Sequence, residues 1–391
     1  MGVGVCDSPH PRLGCGYLYR TNSPLPGLKN QHVASIQWLA EATDAATEGL
    51  TVGSKTLTFV PRRPPTELLQ RHFRISAASG TASALLIFQA ILPFLLFAGN
   101  DSPEPIVLDI SGGTNVSFSL SFEYLDQVLL PTLEERFGIL VERKLKRRAW
   151  SLGQRGRGEI SLKIHPLMAG KMLQFQWPER YSHPSSYEVK SVDVSIITYG
   201  SPQAELQGLL VENLGELFPD ADVLFKIVED SGSEARWYIL LVATSTAGIR
   251  WGRDTLLSMP KKTKKSKPHS VFAEQVARQV CRDLYEEVSV GGQVDEHLQD
   301  QLVVFQALSS GYSSLPRGAL LDEASAVGPV VDALGKMEID EGAMRKEKTH
   351  APFGHGSMHT QTVRWVASEL LPQAKFFNKG DIVEGAGFAV K

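Results

Sequence analysis

Two blocks in the N-terminal half combine glycines, amides and cations in a way that suits anion binding. In PGLKNQHV a Pro-Gly turn precedes a predicted helix that opens with Asn30, Gln31 and His32, and Arg20 lies upstream. A helix N-terminus beside a cation attracts phosphate, although the same residues also form an ordinary turn and a capped helix. In SGGTN, residues 111–115, the glycines could let backbone N–H groups approach a phosphate, but the block is too short for a Walker loop.

Two blocks in the C-terminal part place a histidine and carboxylates at predicted helix starts. In GHGSMHTQT, His359 and Thr362 lie three residues apart, on neighbouring positions of a helix. A lone histidine at such a position is normally structural or solvated. In DEHLQDQL, Asp295 and Asp300 stand at the start of an apolar helix, where carboxylates most often interact with the helix dipole. Taken singly, none of the four blocks establishes catalysis.

Alternating helix and strand patterns surround these blocks and indicate a layered α/β architecture. A helix is predicted over residues 124–137, and strand-like runs occupy residues 57–61, 105–110, 139–146 and 159–164. Residues 82–98, with ALLIFQAILPFLLFA at their centre, approach the minimum length for crossing a bilayer. Because Gln89 and Pro93 interrupt this span and basic flanks are lacking, we expect a buried core helix and no membrane association.

A change of pattern near residues 182–186 indicates a second domain. The loop-like SHPSS is followed by the strand-like VDVSIITYG, a helix-like stretch over residues 204–218, and two more strand-like runs. We interpret residues 187–285 as a smaller inserted α/β domain, and residues 1–186 and 286–391 as one large domain. Residues 315–355 are charged, loop-rich and poor in aromatic side chains, which is typical of a surface insertion.

The composition is that of a folded, soluble protein of two to three domains. The 391 residues include 40 Lys and Arg against 43 Asp and Glu, so affinity for a polyanion must come from a local patch. PKKTKKSKP, residues 260–268, is either a solvated loop, a nuclear import signal or a phosphate-facing patch. The three cysteines lack the spacing of a disulfide framework or a zinc site, which favours a reducing intracellular compartment.

Taken together, the blocks resemble the RNA 3'-terminal phosphate cyclase family. The likeness includes PGLKNQH, ISAASGTASALLIFQAILPFLLFA, LDISGGTN, HLQDQL and SMHTQT, in the family's order over residues 18–375. The resemblance implies an α/β (α+β) fold, with a large domain of repeated α/β units and a smaller inserted α/β domain. It also implies an enzyme that uses ATP and a divalent metal, Mg²⁺ or Mn²⁺, to convert an RNA 3'-terminal phosphate to a 2',3'-cyclic phosphate through a histidine-AMP intermediate.

The resemblance assigns roles to individual residues. His359 occupies the position of the family's nucleophilic histidine, with Thr362 in the same segment, and a neutral imidazole nitrogen is needed for attack on phosphorus. Asp300 matches the acidic residue of the D-Q-L block and either orients His359 or helps to place the metal. Gln89 matches a glutamine of the apolar helix and either contacts the nucleotide or is a buried, hydrogen-bonded amide. Three further residues are expected to hold phosphate or RNA: Arg20, Gln31 and His32.

Departures from the family pattern leave a second hypothesis open. The first 20 residues lack the family's G-E-G-G-G-Q segment, which supplies a metal-binding glutamate, so the metal ligands stay unassigned. Ser23 replaces a second arginine, and Val363 stands where the family has asparagine. The alternative is a non-catalytic cyclase-like factor that binds RNA or protein in ribosome biogenesis, whereas retention of His359 favours the enzyme. A small-molecule transferase would need a phosphate-binding set of Arg and Lys that is not recognisable. We expect a location in the nucleus (nucleoplasm or nucleolus), with the cytoplasm as a second location; the sequence leaves the oligomeric state open.

Overall fold

The chain forms two compact units with a mixed α/β architecture. The computed structural model describes residues 17–18, 27–77, 82–100, 104–152, 156–181, 184–200, 202–258, 269–317 and 354–390. Arg20, the lysine-rich run at 260–268 and most of the predicted surface insertion lie outside the described residues. The first unit comprises the described parts of Met1–Phe122, Ile139–Met172 and Ala389–Lys391, and the second those of Glu123–Gly138 and Leu173–Phe388. The predicted α/β fold class is confirmed.

In the described residues, two sheets and two α-helices build the first unit. The strands are β1 (Tyr17–Leu18), β2 (Ala46–Glu48), β3 (Thr56–Val60), β4 (His72–Ser76), β5 (Ile106–Gly112), β6 (Val141–Arg147) and β7 (Gly158–Ile164), and the helices are α1 (Asn30–Thr43) and α2 (Ala84–Leu96). A small antiparallel sheet has the order β1-β3-β2, and a larger mixed sheet has the order β4-β5-β7-β6. In the larger sheet β4 and β5 run parallel, whereas the other neighbours are antiparallel.

Helix α2 is the centre of this unit's core. Its N-cap is Ser83, whose hydroxyl accepts hydrogen bonds from the Leu85 and Leu86 N–H groups. Phe88 and Ile91 are fully buried, which confirms that residues 82–98 contain a buried core helix. Within the described ranges, no helix is both long and apolar enough to cross a membrane.

Helix α1 packs against α2 through an aromatic contact. It begins at Asn30, as the sequence predicts, but the capping residue is Lys29. The Trp38 ring meets Phe73 of β4 and Phe94 of α2 edge-on, with ring centroids 5.1 and 5.9 Å apart. This packing fixes the orientation of the helix start, which carries Gln31 and His32.

The second unit contains the remaining elements. A helical segment runs from α3 (Phe122–Tyr124) through a π-helical turn (Leu125–Leu129) into α4 (Leu130–Phe137). The other helices are α5 (Gln203–Leu217), α6 (His269–Ser289), α7 (Glu296–Leu308) and α8 (Met358–Leu370). The strands are β8 (Val189–Thr198), β9 (Asp222–Asp230), β10 (Trp237–Ser245), β11 (Arg250–Leu257), β12 (Tyr312–Ser314), β13 (Lys375–Phe377) and β14 (Ile382–Glu384).

A four-stranded sheet with two helices occupies the segment predicted to be inserted. Its order is β11-β10-β8-β9, with β8 and β9 parallel and the other neighbours antiparallel. Leu206, Leu210 and Leu214 of α5 share one core with Trp237 and with the inner face of α6. This grouping is consistent with an α/β insertion, although α6 continues to Ser289, and the domain boundaries at 187 and 285 stay predictions.

Helices α7 and α8 pack together beside a small antiparallel sheet of order β12-β14-β13. Val303 and Ala307 of α7 share a core with Ala367 of α8, and Phe376 and Val383 of the sheet complete it. Because these apolar contacts bring the two helices together, the DEHLQDQL and SMHTQT blocks become neighbours in space.

Candidate active site

The first turn of α8 presents His359. Ser357 is the N-cap, and its hydroxyl accepts a hydrogen bond from the Thr360 N–H at 3.1 Å. The preceding first-turn N–H groups have no partner within a helix, so this end carries partial positive charge. The His359 side chain is 87% exposed, which leaves the imidazole open to a phosphate approaching from solvent.

Asp300 of α7 faces this imidazole. Its Oδ2 lies 3.8 Å from His359 Nδ1, an ion-pair distance somewhat longer than a hydrogen bond. Its Oδ1 accepts a hydrogen bond from Gln301 Nε2 at 2.7 Å. The carboxylate is 14% exposed, and burial raises its pKa, while His359 and His297 oppose that shift. Since Nδ1 points towards Asp300, Nε2 is the ring nitrogen available to a substrate.

A buried arginine supports the loop that leads into α8. Arg364 is 2% exposed, and its Nη1 donates hydrogen bonds to the carbonyl oxygens of His355 at 2.5 Å and Lys379 at 3.4 Å. The His355 N–H also donates to the Lys379 carbonyl, at 2.9 Å. Gly380 (φ +91°) is required here, because a Cβ atom would lie 2.4 Å from Arg364 Cζ. Arg364 therefore ties the loop before His359 to the turn after β13.

Sequence reasoning did not identify Arg364. A charged residue in an amphipathic helix is normally assigned to the solvent face. The structure instead buries Thr360, Arg364 and Ala367, which recur at helical spacing. That spacing is visible in the sequence, but nothing in it marks an arginine as part of the buried face.

Thr362 is exposed on the same helix. Its hydroxyl donates a hydrogen bond to the Met358 carbonyl at 2.7 Å, a common use of threonine within a helix. The oxygen retains acceptor capacity, so contact with a nucleotide stays a prediction.

Asp295 is a structural carboxylate. It caps α7, and its Oδ1 accepts hydrogen bonds from the His297 and Leu298 N–H groups, each at 2.9 Å. The Tyr124 hydroxyl donates to Oδ1 at 2.7 Å, and the Gly252 N–H donates to Oδ2 at 2.8 Å. Burial and the Asp295 charge both raise the pKa of the Tyr124 hydroxyl. The expected interaction of this carboxylate with a helix start is confirmed.

The predicted phosphate residues of the first unit lie at the start of α1. The Lys29 N–H donates a hydrogen bond to His32 Nδ1 at 3.2 Å, so this histidine caps its own helix. Burial, and then the Lys29 charge, lower the pKa of His32, which keeps the imidazole neutral. Gln31 is half-buried, and its carbonyl accepts a hydrogen bond from Ser35. The capped-helix interpretation is correct for this block, and its phosphate role stays a prediction, with Arg20 outside the described residues.

Gln89 lies in the middle of α2. It is half-buried, in contrast to the fully buried Phe88 before it. Both alternatives for this side chain, contact with the nucleotide and a buried, hydrogen-bonded amide, stay predictions.

The SGGTN block does not form a phosphate cradle, so that expectation is wrong. The Gly113 N–H donates to the Ala82 carbonyl at 2.8 Å, and the Thr114 N–H donates to the Ala149 carbonyl at 3.1 Å, as does the N–H of the next residue. A Cβ atom on Gly112 would lie 2.8 Å from the Ala82 oxygen. The glycines therefore allow close approach of neighbouring chain segments, and these N–H groups are already occupied.

A divalent metal finds no complete ligand set in the described part of the chain. No three His, Cys, Asp or Glu side chains there converge into a group that could hold a metal ion. Asp300 and His359 form only a pair. The residues described therefore do not fit a protein-ligated metal site.

Comparisons with known proteins identify the same family that the order of the motifs indicates. The profile of the family described as RNA 3'-terminal phosphate cyclase matches residues 19–376. A Drosophila melanogaster protein named RNA 3'-terminal phosphate cyclase is 28% identical over 327 residues, which is 82% of each chain. Proteins of the same name from Staphylothermus marinus and Thermococcus kodakarensis are 32% and 30% identical, over 76% and 75% of this chain and 77% of each relative. The chain belongs to the RNA 3'-terminal phosphate cyclase family.

Proposed function

We propose that this chain is an ATP-dependent enzyme that converts RNA 3'-terminal phosphates to 2',3'-cyclic phosphates. The observation that carries the proposal is the pairing of His359 with Asp300 at a helix start, in a chain that matches the cyclase family over most of its length. The relatives reported above are all named as cyclases, which favours the enzyme over the non-catalytic RNA-binding or protein-binding alternative.

The first step would form a covalent link between AMP and the enzyme. Nε2 of His359 attacks the α-phosphorus of ATP, a P–N bond forms, and the bond to pyrophosphate breaks as pyrophosphate leaves with the electron pair. Asp300 holds the proton on Nδ1 and stabilises the positive charge that develops on the ring. The first-turn N–H groups of α8 would stabilise the charge on the phosphoryl oxygens.

The second and third steps would use RNA. An oxygen of the RNA 3'-phosphate attacks the phosphorus of the histidine adduct, which breaks the P–N bond and yields RNA joined to AMP. The neighbouring 2'-hydroxyl then attacks the terminal phosphorus, loses its proton, and displaces AMP to close the ring. Gln89 and Thr362 are proposed to contact the nucleotide, and the RNA phosphate is assigned to Arg20, Gln31 and His32.

A divalent cation, Mg²⁺ or Mn²⁺, is proposed as a companion of ATP. Such ions commonly bind through substrate phosphates with few protein ligands, which is compatible with the absence of a ligand cluster in the described residues. The cation would neutralise phosphate charge. Comparing activity with each metal and with a chelator tests this requirement.

Covalent labelling tests the proposed nucleophile. The protein is incubated with a divalent cation and ATP labelled at the α-phosphate, and then resolved under denaturing conditions. We expect label that is labile in acid and stable in alkali, and that disappears in His359→Ala. His355→Ala is the matched control, because this exposed histidine precedes the helix and contributes only backbone atoms to the contacts described above. Label that persists in His359→Ala contradicts the assignment, and an unlabelled wild-type protein supports the non-catalytic alternative.

We propose that the protein is located in the nucleus. Residues 260–268, PKKTKKSKP, have the composition of a nuclear import signal. Replacing the five lysines of this run with glutamine in a fluorescent fusion should move the protein from the nucleus to the cytoplasm. An unchanged distribution contradicts the proposal.

A further inference from the structure

The hairpin of β6 and β7 concentrates positive charge. Residues 141–164 contain eight Lys and Arg against two Glu, although acidic residues slightly outnumber basic ones in the whole chain. β6 is an edge strand of the larger sheet in the first unit. The described cations of this hairpin therefore lie on the edge strand β6 and its neighbour β7, where a polyanion could approach.

The strand register places the charged side chains on one face of the sheet. Arg74 of β4 pairs with Asp109 of β5, which pairs with Ser161 of β7, which in turn pairs with Lys144 of β6. Because each of the four is paired with the next, they form a row across the sheet, with about 4.8 Å between neighbouring strands. The alternate residues form the buried face: Ile75, Leu108, Ile110, Ile160 and Leu162. The row therefore lies on the solvent-facing side.

The carboxylates on this face are already neutralised by neighbouring cations. Asp109 accepts hydrogen bonds from Lys146 Nζ at 2.7 Å and His72 Nε2 at 3.0 Å. Burial by itself raises the pKa of Asp109. Hydrogen bonds from Lys146, Ser161 and His72 outweigh this effect and hold the pKa well below its ordinary value. In the next row, Glu142 contacts the Lys163 ammonium at 2.8 Å. The acidic groups thus stay ionised and paired.

Two cations remain available after this pairing. Lys144 is exposed and forms no ion pair with any carboxylate of the described ranges. The Arg74 side chain is 83% exposed, and its Nε approaches Asp109 only to 3.9 Å. Both groups project from a rigid sheet whose opposite face is packed, so little conformational freedom of the backbone would be lost on binding.

We infer that this face, defined by Arg74, Asp109, Lys144, Lys146 and Lys163, binds the sugar-phosphate backbone of RNA away from its 3' end. The inference rests on the proposed function, which makes RNA the polyanion that this protein meets. Lys and Arg neutralise backbone phosphates without reading sequence. No Phe, Tyr or Trp side chain accompanies the row across the sheet, so base stacking is not expected here. The face should therefore bind RNA irrespective of its terminal group.

Binding measurements with two RNAs test the inference. One single-stranded oligonucleotide is prepared with a 3'-phosphate or a 3'-hydroxyl, and the affinities are measured by fluorescence anisotropy at several salt concentrations. Lys144→Ala should weaken both RNAs by the same factor and reduce the log-log salt slope by about 0.7, the value expected for one contact with a single strand. Lys144→Glu should weaken both further. Lys171→Glu is the matched control, since Lys171 is an exposed lysine of the same unit outside this sheet.

The outcomes separate this inference from the proposed function. Affinities and slopes of the Lys144 variants that equal those of the control would overturn it, as would a loss confined to the 3'-phosphate RNA. The inference would also be overturned if the Lys144 variants lost binding to an acidic protein segment while their RNA binding was unchanged. Labelling of His359 by ATP requires no RNA, so it tests the proposed catalysis independently. Equal melting temperatures of the variants and the wild type exclude unfolding as the cause.

Discussion

Replacing Asp300 with asparagine should stabilise the fold while slowing the proposed chemistry. The amide preserves the shape of the side chain and can still accept the hydrogen bond from Gln301. Burial raises the pKa of Asp300, so the folded protein holds this proton more tightly than the unfolded chain. The contribution of the carboxyl group to stability is therefore greatest below its unfolded pKa and declines as pH rises through its folded pKa. At neutral pH, Asp300→Asn should raise the melting temperature.

The catalytic loss can be estimated from the distance between the two groups. Asp300 Oδ2 and His359 Nδ1 are 3.8 Å apart. Opposite unit charges about 4 Å apart attract by about 1 kcal/mol in water and about 4 kcal/mol at an effective dielectric constant of 20. Because the imidazole is 87% exposed, solvent screens the pair and the lower end applies. A loss of about 1 to 2 kcal/mol of transition-state stabilisation slows adenylation about 5-fold to 30-fold.

Single-turnover labelling across a range of pH measures this effect. In the wild type, part of the labelling rate should fall as acid protonates Asp300, and the fall should begin above the ordinary range of a carboxyl group. In Asp300→Asn, the part of the pH dependence that is due to protonation of Asp300 should be absent. Asp220→Asn, at an exposed aspartate of the same unit, is the control and should change neither rate nor stability. Labelling of Asp300→Asn at the wild-type rate, or a fall in its melting temperature, would refute the reasoning.

Three further changes test the architecture by urea unfolding. Asp295→Ala removes a helix cap and also the carboxylate that accepts hydrogen bonds from the buried Tyr124 hydroxyl and the Gly252 N–H, so we expect the free energy of unfolding to fall by about 3 to 5 kcal/mol; a loss below about 1 kcal/mol contradicts this account. Gly380→Ala forces a Cβ against the Arg364 guanidinium at positive φ; it should cost about 1 to 2 kcal/mol and slow adenylation, and unchanged labelling would exclude support of the site by this arginine. Leu210→Ala in the α5 core should cost about 2 to 5 kcal/mol while labelling of the folded fraction is retained.

Much of the architecture could be predicted from local patterns. The start of α1, the burial of α2 and the strands near residues 57–61, 105–110 and 159–164 agree with the structure to within a few residues. The periodicity of apolar residues and the length of each patterned segment are local properties, so a single sequence reveals them. The family could also be identified from the sequence, because a match to family motifs depends on residue types, spacing and order rather than on contacts in the fold.

Side-chain partners were harder to predict, because each depends on residues distant in sequence. SGGTN has a suitable composition for a phosphate loop, yet the Gly113 N–H is occupied by a carbonyl from the start of α2. Arg364 is a charged residue of a type that normally faces solvent, yet it is buried, and Gly380 packs against its guanidinium group. No local pattern distinguishes an available N–H group or cation from an occupied one.

The sequence by itself determined the secondary structure, the α/β class and the family, because periodicity, composition and motif order are properties of the chain. Only the tertiary structure decided which functional groups meet. Asp300 and His359 are 59 positions apart in sequence, and they approach because the apolar faces of α7 and α8 share a core with the small sheet. Hydrophobic burial is non-directional, so the contact depends on how whole elements pack rather than on either residue alone.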